Sequence, residues 1–283
     1  MDDASFTRAL LAGLAPLIAT AATSSGVAPV ASVGRVRDLL YLKVSDDLVL
    51  VISADSNAAI GSKPNDVLDF SPEATGRSVT QVAIMEVLAV GARPVIVVDN
   101  LCVEMEPTGR RILSGVESAV AELAEPVIIT GSDETNMPTS QTGVGVTVIA
   151  VAHHEELLIA RCNIGDVVVL VGVPVGGPTH LYDEFQALEF AGVGTLTAAL
   201  ATGVVHEVLP VGSRGVGFEL SELARTSGLV ANELLPSPVA MGNSGGASTS
   251  FLVALAADDL PAFRSAIDRP VHIVATLQQP LLH

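Results

Sequence analysis

The stretch Leu48–Asp69, LVLVISADSNAAIGSKPNDVLD, decides how the chain is read. Its first residues, Leu48 to Ser53, form a continuous β-branched apolar run, as a buried strand requires. Beyond them come Asp55, Gly61, Lys63, Pro64 and Asp66, so two carboxylates and an ammonium leave the same strand end. Carboxylates hold hard cations through oxygen, and a lysine adds a point charge for phosphate oxygens, which suits a magnesium-bound polyphosphate. The same residues also suit a solvated acidic loop turning at Lys63–Pro64, and the stretch alone leaves both readings open.

On either side of it, helices and strands alternate. Upstream, the pattern predicts a helix over 5–23 and a strand over 36–44. Downstream it predicts a helix over 72–90, closed by Gly91. Glu86 sits in that helix among Ala, Ile, Met, Val and Leu, where an unpaired carboxylate is costly to bury. It therefore calls for a metal ion or for a partner such as Arg77 or Arg93. A strand over 94–100 ends in Asp99 and Asn100, and a helix over 108–123 follows. A strand over 126–130 then runs into a second acidic, hydroxyl-rich loop, GSDETNMPTSQTG at 131–143, and a strand over 143–151. Asp55, Asp66, Glu86, Asp133 and Glu134 thus fall at element ends that could converge, and separated acids of this kind can clamp more than one magnesium ion.

The second half starts near Arg161. Strands are expected over 164–172, 204–209 and 271–277, and helices over 183–191, 195–201, 217–226 and 261–267, with a small-residue turn and a strand over 243–257. Such recurrence predicts two α/β or α+β domains, 1–160 and 161–283.

Composition excludes several classes. The 283 residues are 49% hydrophobic and 16% charged, enough apolar material for a large core. A net charge of −17 argues against a sequence-independent grip on nucleic acid, which needs a basic face. Cys102 and Cys162 form no zinc or disulfide pattern, so a reducing cytoplasm is the expected location. The apolar run 9–22 follows an acidic leader and contains Pro16, so it reads as a surface-packed helix and neither as a secretory signal nor as a membrane span. Gly242–Gly246 matches G-x-S-x-G, but it comes late and at a turn before a strand, whereas a nucleophile elbow needs strand, turn and helix with an acid and a histidine afterwards. There is no Walker A motif and no G-x-G-x-x-G after the first strand, and the adjacent His153 and His154 point to opposite faces of any strand.

Several motifs do carry a resemblance. GSKPND at 61–66, MEVLAVGARP at 85–94, GSDETNMPTSQTGVGVTVIA at 131–150, IGDVVVLVGVP at 164–174, LPVGSRGVGFELSELA at 209–224 and NSGGASTSFLVAL at 243–255 resemble, in order, the aminoimidazole ribonucleotide synthetase (PurM-like) superfamily. That resemblance implies two α/β domains, ATP with Mg2+, and a homodimer whose amino-terminal sheets join into a barrel. It implies that Glu86 stands where the superfamily has a metal-binding aspartate, and that Asp133 or Glu134 is another metal ligand, with Asp55 and Asp66. The thiamine-monophosphate kinase motifs GDDAA and SDGL are missing, Ser213–Val216 standing in place of the latter, and no catalytic cysteine lies near the amino terminus. The combination IG-KP-D, MEVL-GA-P, EPTG-RIL and NMPTSQTG is most similar to the stand-alone subgroup that includes α-ribazole kinase. It implies a kinase that moves the γ-phosphoryl group of ATP to the 5′-hydroxyl of a small riboside. In that scheme Gly61, Lys63, Asn136, Thr139 and Ser140 meet the nucleotide, Lys63 neutralises the transferring group, and Asp99 or Asn100 meets the acceptor hydroxyl.

Overall fold

The computed structural model describes residues 33–45, 47–176 and 189–280. The helix expected over 5–23 and residues 183–188 of the helix expected over 183–191 lie outside the described residues.

The first half is a six-stranded sheet with two helices on one face. Strands β1 (Val33–Val36) and β2 (Leu39–Lys43) form a hairpin, so the single strand expected over 36–44 is broken at Arg37–Asp38. The break is set by Arg37, which takes a left-handed φ of 54° as the chain reverses. Strand β3 (Leu48–Ala58) is five residues longer than the apolar run, because it pairs along its whole length with β8 (Gly143–His153). Asp55 is therefore held in a strand, not in a loop. Two short strands, β4 (Ile60–Gly61) and β5 (Leu68–Asp69), pair in parallel and close the GSKPND loop between them. Strands β6 (Arg93–Leu101) and β7 (Ile128–Asp133) complete the order β1-β2-β3-β8-β6-β7.

Helix α1 (Pro72–Ala89) starts sharply: the Ser71 hydroxyl accepts from the Ala74 N–H at 3.1 Å and Pro72 takes the first helical position. Helix α2 (Arg110–Val120) crosses it closely enough that a Cβ on Gly76 would fall 2.1 Å from the Ile112 carbonyl oxygen, and one on Gly115 would fall 2.0 Å from that of Glu73.

The second half is a five-stranded antiparallel sheet in the order β10-β12-β9-β13-β11, built from β9 (Val167–Gly172), β10 (Val205–Pro210), β11 (Val230–Glu233), β12 (Ser250–Leu255) and β13 (Val271–Gln278). Helix α4 (Val216–Thr226) covers one face through Leu220 and Leu223, which share a core with Leu252 of β12. On the other face Val169, Val171, Phe251 and Val253 join one core with α1, α3 (Val193–Ala201) and α5 (Leu260–Ala266). Helix α1 is thus packed between the two halves, touching β3 and β8 on one side and β10 and α3 on the other. That position explains its apolar residues on every side, and why a glutamate within it stands out.

Candidate active site between the two halves

Glu86, on α1, faces a group of carboxylates drawn from both halves. Arg77 is paired with Glu122 and Arg93 with Glu125; the arginine that acts on Glu86 is Arg37, from the β1–β2 turn. Burial, together with the carboxylates of Asp38, Glu219 and Asp55, pushes the Glu86 carboxyl up to about 8, against the pull of Arg37. Glu219, in the first turn of α4, is likewise pushed up to about 7 by burial and by Asp38, although the Gly212 N–H and Arg37 oppose the shift. Burial also raises Asp55. Asp38 and Glu219 were not singled out by the sequence reading. The available signals were a glutamate opening a helix after the glycine-rich SRGVG run, and an acid at a strand reversal.

Among the described residues no three acidic, histidine or cysteine side chains stand close enough to chelate one ion by themselves. Magnesium does not need such a cage, since it is commonly held by one or two carboxylates and substrate phosphates. Asp55, raised by burial, and Glu86, raised by burial and by neighbouring acids, fit that donor chemistry: a cation would relieve both.

Lys63 and Asp66 act first on their own loop. Lys63 Nζ donates to Glu104 Oε1 at 2.5 Å and to the Thr139 carbonyl oxygen at 3.2 Å, and the Thr139 hydroxyl donates to Glu104 Oε2 at 2.7 Å. Those bonds hold Glu104 down at about 2. Glu104 joins three segments: the GSKPND loop, the MPTSQTG loop, and, through the Thr108 hydroxyl at 3.3 Å, the entry to α2. Both oxygens of Asp66 accept hydrogen bonds, from the N–H of Thr142, the hydroxyl of Thr142 and the N–H of Lys63 at 2.7 to 2.8 Å. Burial would raise the Asp66 carboxyl, but these donors outweigh it and lower it. Gly61 lies beneath: a Cβ there would fall 2.2 Å from Thr142 Oγ1.

The remaining candidates lie on the far side of the sheet's centre. Asp99 and Asp133 line one cavity of about 290 Å³ with Glu117, and the Asp99 carboxylate crosses Gly131 so closely that a Cβ would fall 1.7 Å from Oδ1. Burial and then Glu117 raise the Asp99 carboxyl. Asn100 follows Asp99 on β6, so its side chain leaves the opposite face, where it is exposed. Glu134 Oε1 accepts from the N–H groups of Asn136 and Met137, and Asp133 Oδ2 accepts from the Thr135 hydroxyl. The Ser140 carbonyl oxygen accepts from the Asn65 N–H, tying its loop to GSKPND. Asn136 and Thr139 border a second cavity of about 360 Å³ with Glu104.

A third cavity, of about 380 Å³, lies between the halves. Asp55, Asn57 and the β4–β5 segment form one wall, Ser78 and Val82 of α1 the floor, and Val175, Gly176, Gly246 and Ala247 the other wall. The second-half wall is held in place by Gln81 of α1, whose Nε2 donates to the carbonyl oxygens of Ala247 and Ser248 at 3.1 Å. Gly176 and Gly246 let two backbones touch, since a Cβ on Gly176 would fall 2.7 Å from the Gly246 nitrogen.

The chain has a mixed α+β fold that it shares with several solved structures. More particularly, residues 36–152 match the family described as AIR synthase related protein, N-terminal domain. The chain is similar in structure to PurLQS from Thermotoga maritima, with a TM-score of 0.61 at 18% identity over 88% of this chain and 42% of that one. It is similar to AaThiL complexed with AMPPCP and TMP, with a TM-score of 0.63 at 13% identity over 94% of this chain and 90% of that one. It is also similar to thiamine-monophosphate kinase from Stenotrophomonas maltophilia K279a, with a TM-score of 0.59 at 16% identity over 95% of this chain and 94% of that one. The chain therefore spans less than half of the length of the PurLQS chain it matches. At these identities the likeness is one of fold. No curated protein sequence matches the chain.

Proposed function

We propose that the protein is a magnesium-dependent kinase that transfers the γ-phosphoryl group of ATP to the 5′-hydroxyl of a small riboside, with α-ribazole as the acceptor that its motifs favour. The observation that carries this reading is the placement of Asp55 and Glu86: Asp55 opens into the cavity between the halves, and Glu86 lies one helical turn beyond Val82 of its floor. Carboxyls raised by burial at and next to a cavity suit phosphoryl transfer, which asks for positioning and charge neutralisation and for no covalent nucleophile. Relatives of this fold complexed with ATP analogues support a nucleotide here.

In this scheme Asp55 and Glu86 would hold Mg2+, which supplies charge neutralisation on the triphosphate. Asp66 and Glu104 keep the GSKPND and MPTSQTG loops together, so that Lys63, Asn136, Thr139 and Ser140 are presented to the nucleotide as one surface. Asp133 and Glu134 brace the second loop, and Asp99 stays oriented over Gly131.

We read the chain as two domains meeting near residue 160 and as a homodimer in the cytoplasm. The face of the six-stranded sheet that carries no helix among the described residues supports the dimer: Leu40, Ile52, Ile149, Ile96 and Ile128 stand opposite one another across five strands, with Leu40 44% and Ile128 68% exposed. Among the described residues no helix is long and apolar enough to cross a membrane.

The test is Mg2+-dependent ADP formation with α-ribazole, ordinary ribosides, thiamine monophosphate and no acceptor. Stimulation by α-ribazole with a 5′-phosphorylated product supports the reading. ADP formation only with a formylglycinamidine-type substrate, with release of inorganic phosphate, would replace it by an amidine-forming synthetase.

A further inference from the structure

The segment that joins the halves lines a further cavity. Residues 154–161 lead from β8 toward β9 past the β1–β2 hairpin, held there by the His154 N–H on the Asp47 carbonyl oxygen at 2.9 Å and the Leu158 N–H on that of Val90 at 3.0 Å. Leu157, Ile159 and Arg161 of this segment enclose about 530 Å³ with Val36, Tyr41 and Val49, a volume in the range of small-molecule sites. It shares no lining residue with the cavity between the halves. Among the described residues its lining holds no aspartate or glutamate, while Lys43, His154 and Arg161 all belong to it. In a chain with 31 acidic and 14 basic residues, that reverses the overall balance.

Arg161 gives the cavity its character. Its Nε donates to the Leu157 carbonyl oxygen at 3.1 Å and its Nη2 to that of Glu155 at 2.6 Å, so neutral acceptors hold the guanidinium in one orientation. Other arginines here meet carboxylates, Arg77 at Glu122, Arg93 at Glu125 and Arg269 at Asp268. The Arg161 side chain meets none among the described residues: Glu207 accepts from its backbone N–H and is itself paired with Arg37. Ala160, just before it and in the same lining, takes a left-handed φ of 56°, a strained setting for alanine of the kind that collects at ligand sites.

From this lining we infer that the cavity is a ligand site separate from the one between the halves, and that it takes a small organic anion, a carboxylate or phosphate monoester on an apolar ring. The anionic oxygens meet the Arg161 guanidinium, whose remaining N–H groups match them in charge and in geometry. Because two carbonyl oxygens already orient that side chain, little rotamer freedom is lost on binding. The ring exchanges water for Tyr41, Val49, Leu157 and Ile159.

The chain has no tryptophan, so Val33→Trp, at a residue of the lining that is 55% exposed, installs a single fluorescent reporter. The full-length Val33→Trp protein is titrated with benzoate, phenyl phosphate and the neutral benzyl alcohol, with and without MgATP. At least one anion is expected to give a saturable change and to bind at least about tenfold more tightly than benzyl alcohol, and the tighter of the two identifies the anionic group. MgATP should leave its midpoint unchanged within about twofold. Arg161→Met in the same background should weaken that anion at least about tenfold, and Arg161→Lys by less. Gly34→Leu leaves Arg161 intact and fills the cavity, since a Cβ on Gly34 would meet nothing within 4 Å, and it should abolish saturation. Failure of both anions to saturate at millimolar concentration, an equal response to benzyl alcohol, displacement by MgATP, or titrations unchanged in Arg161→Met and Gly34→Leu overturns the inference.

Discussion

Lys63 Nζ donates to Glu104 Oε1 at 2.5 Å, so the lysine of the GSKPND loop is already neutralised by a residue lying beyond β6. Glu104 is held at about 2 and an unperturbed glutamate titrates at 4.5, so the folded state binds fewer protons than the unfolded one between those values. The stabilisation is complete above pH 4.5 and is lost as pH falls toward 2. Glu104 is about a third exposed, so the pair is worth about 1 kcal/mol. Urea midpoints from pH 6 to pH 3 should fall more steeply for the wild type than for Glu104→Gln, and identical slopes would show that the pair contributes nothing.

Glu86 behaves in the opposite sense. Its carboxyl, raised to about 8, binds protons more tightly folded than unfolded, so it lowers stability as pH rises from 4.5 to 8. Glu86→Gln mimics the protonated form. Without Mg2+ and ATP the variant should melt at or above the wild-type temperature at pH 8 and match it at pH 5. With Mg2+ and ATP only the wild type should gain several degrees, and turnover by the variant should fall by more than about a hundredfold. A variant that retains most of the rate removes Glu86 from the site.

Glu86 also shows what the sequence makes legible. A carboxylate among apolar helical residues signalled a special position, and the strand before Asp55 marked where acids would emerge. Neither pattern could reveal that α1 is packed between the two halves. Glu86 therefore meets Asp38 and Glu219, each more than forty residues away, and neither Arg77 nor Arg93 as its electrostatic counterpart. Glu104 was missed for a related reason: its importance comes from joining three loops, and pairings between distant loops leave no local period. The GSKPND loop looked like a ligand-binding loop from its charges, yet much of that charge closes the loop on itself through Asp66.

Arg37 owes its place between those acids to Glu207, a wholly buried carboxylate on β10. Glu207 also accepts from the Arg161 N–H at 2.9 Å, the Ser227 hydroxyl at 3.2 Å and the Cys162 thiol at 3.2 Å. Glu207→Ala strands a guanidinium that is 93% buried and leaves several donors unsatisfied, so urea denaturation should show a loss of about 3–5 kcal/mol. The companion Arg37→Met removes the cation that opposes the raised carboxyls, and the pH dependence seen for Glu86 should steepen in it. A loss below about 1 kcal/mol for Glu207→Ala would mean that water replaces the network.

Ile52 and Ile149 are direct partners on β3 and β8, at the centre of the apolar row that runs from Leu40 to Ile128. Their opposite faces are already used: β3 turns Val49, Val51 and Ser53 toward α1, where the Ser53 hydroxyl donates to the Ala83 carbonyl oxygen at 2.6 Å. Among the described residues nothing covers that face, and an open apolar sheet face of this kind suits a second copy of the same face. Replacing Ile149 by Lys puts a charge at its centre without touching the helix-covered core. Light scattering on the eluting protein should give twice the chain mass of 28.9 kDa for the wild type and the single-chain mass for Ile149→Lys, with unchanged far-ultraviolet circular dichroism. A wild type that elutes at the single-chain mass, or a variant that keeps the doubled mass, places the subunit contact elsewhere or removes it.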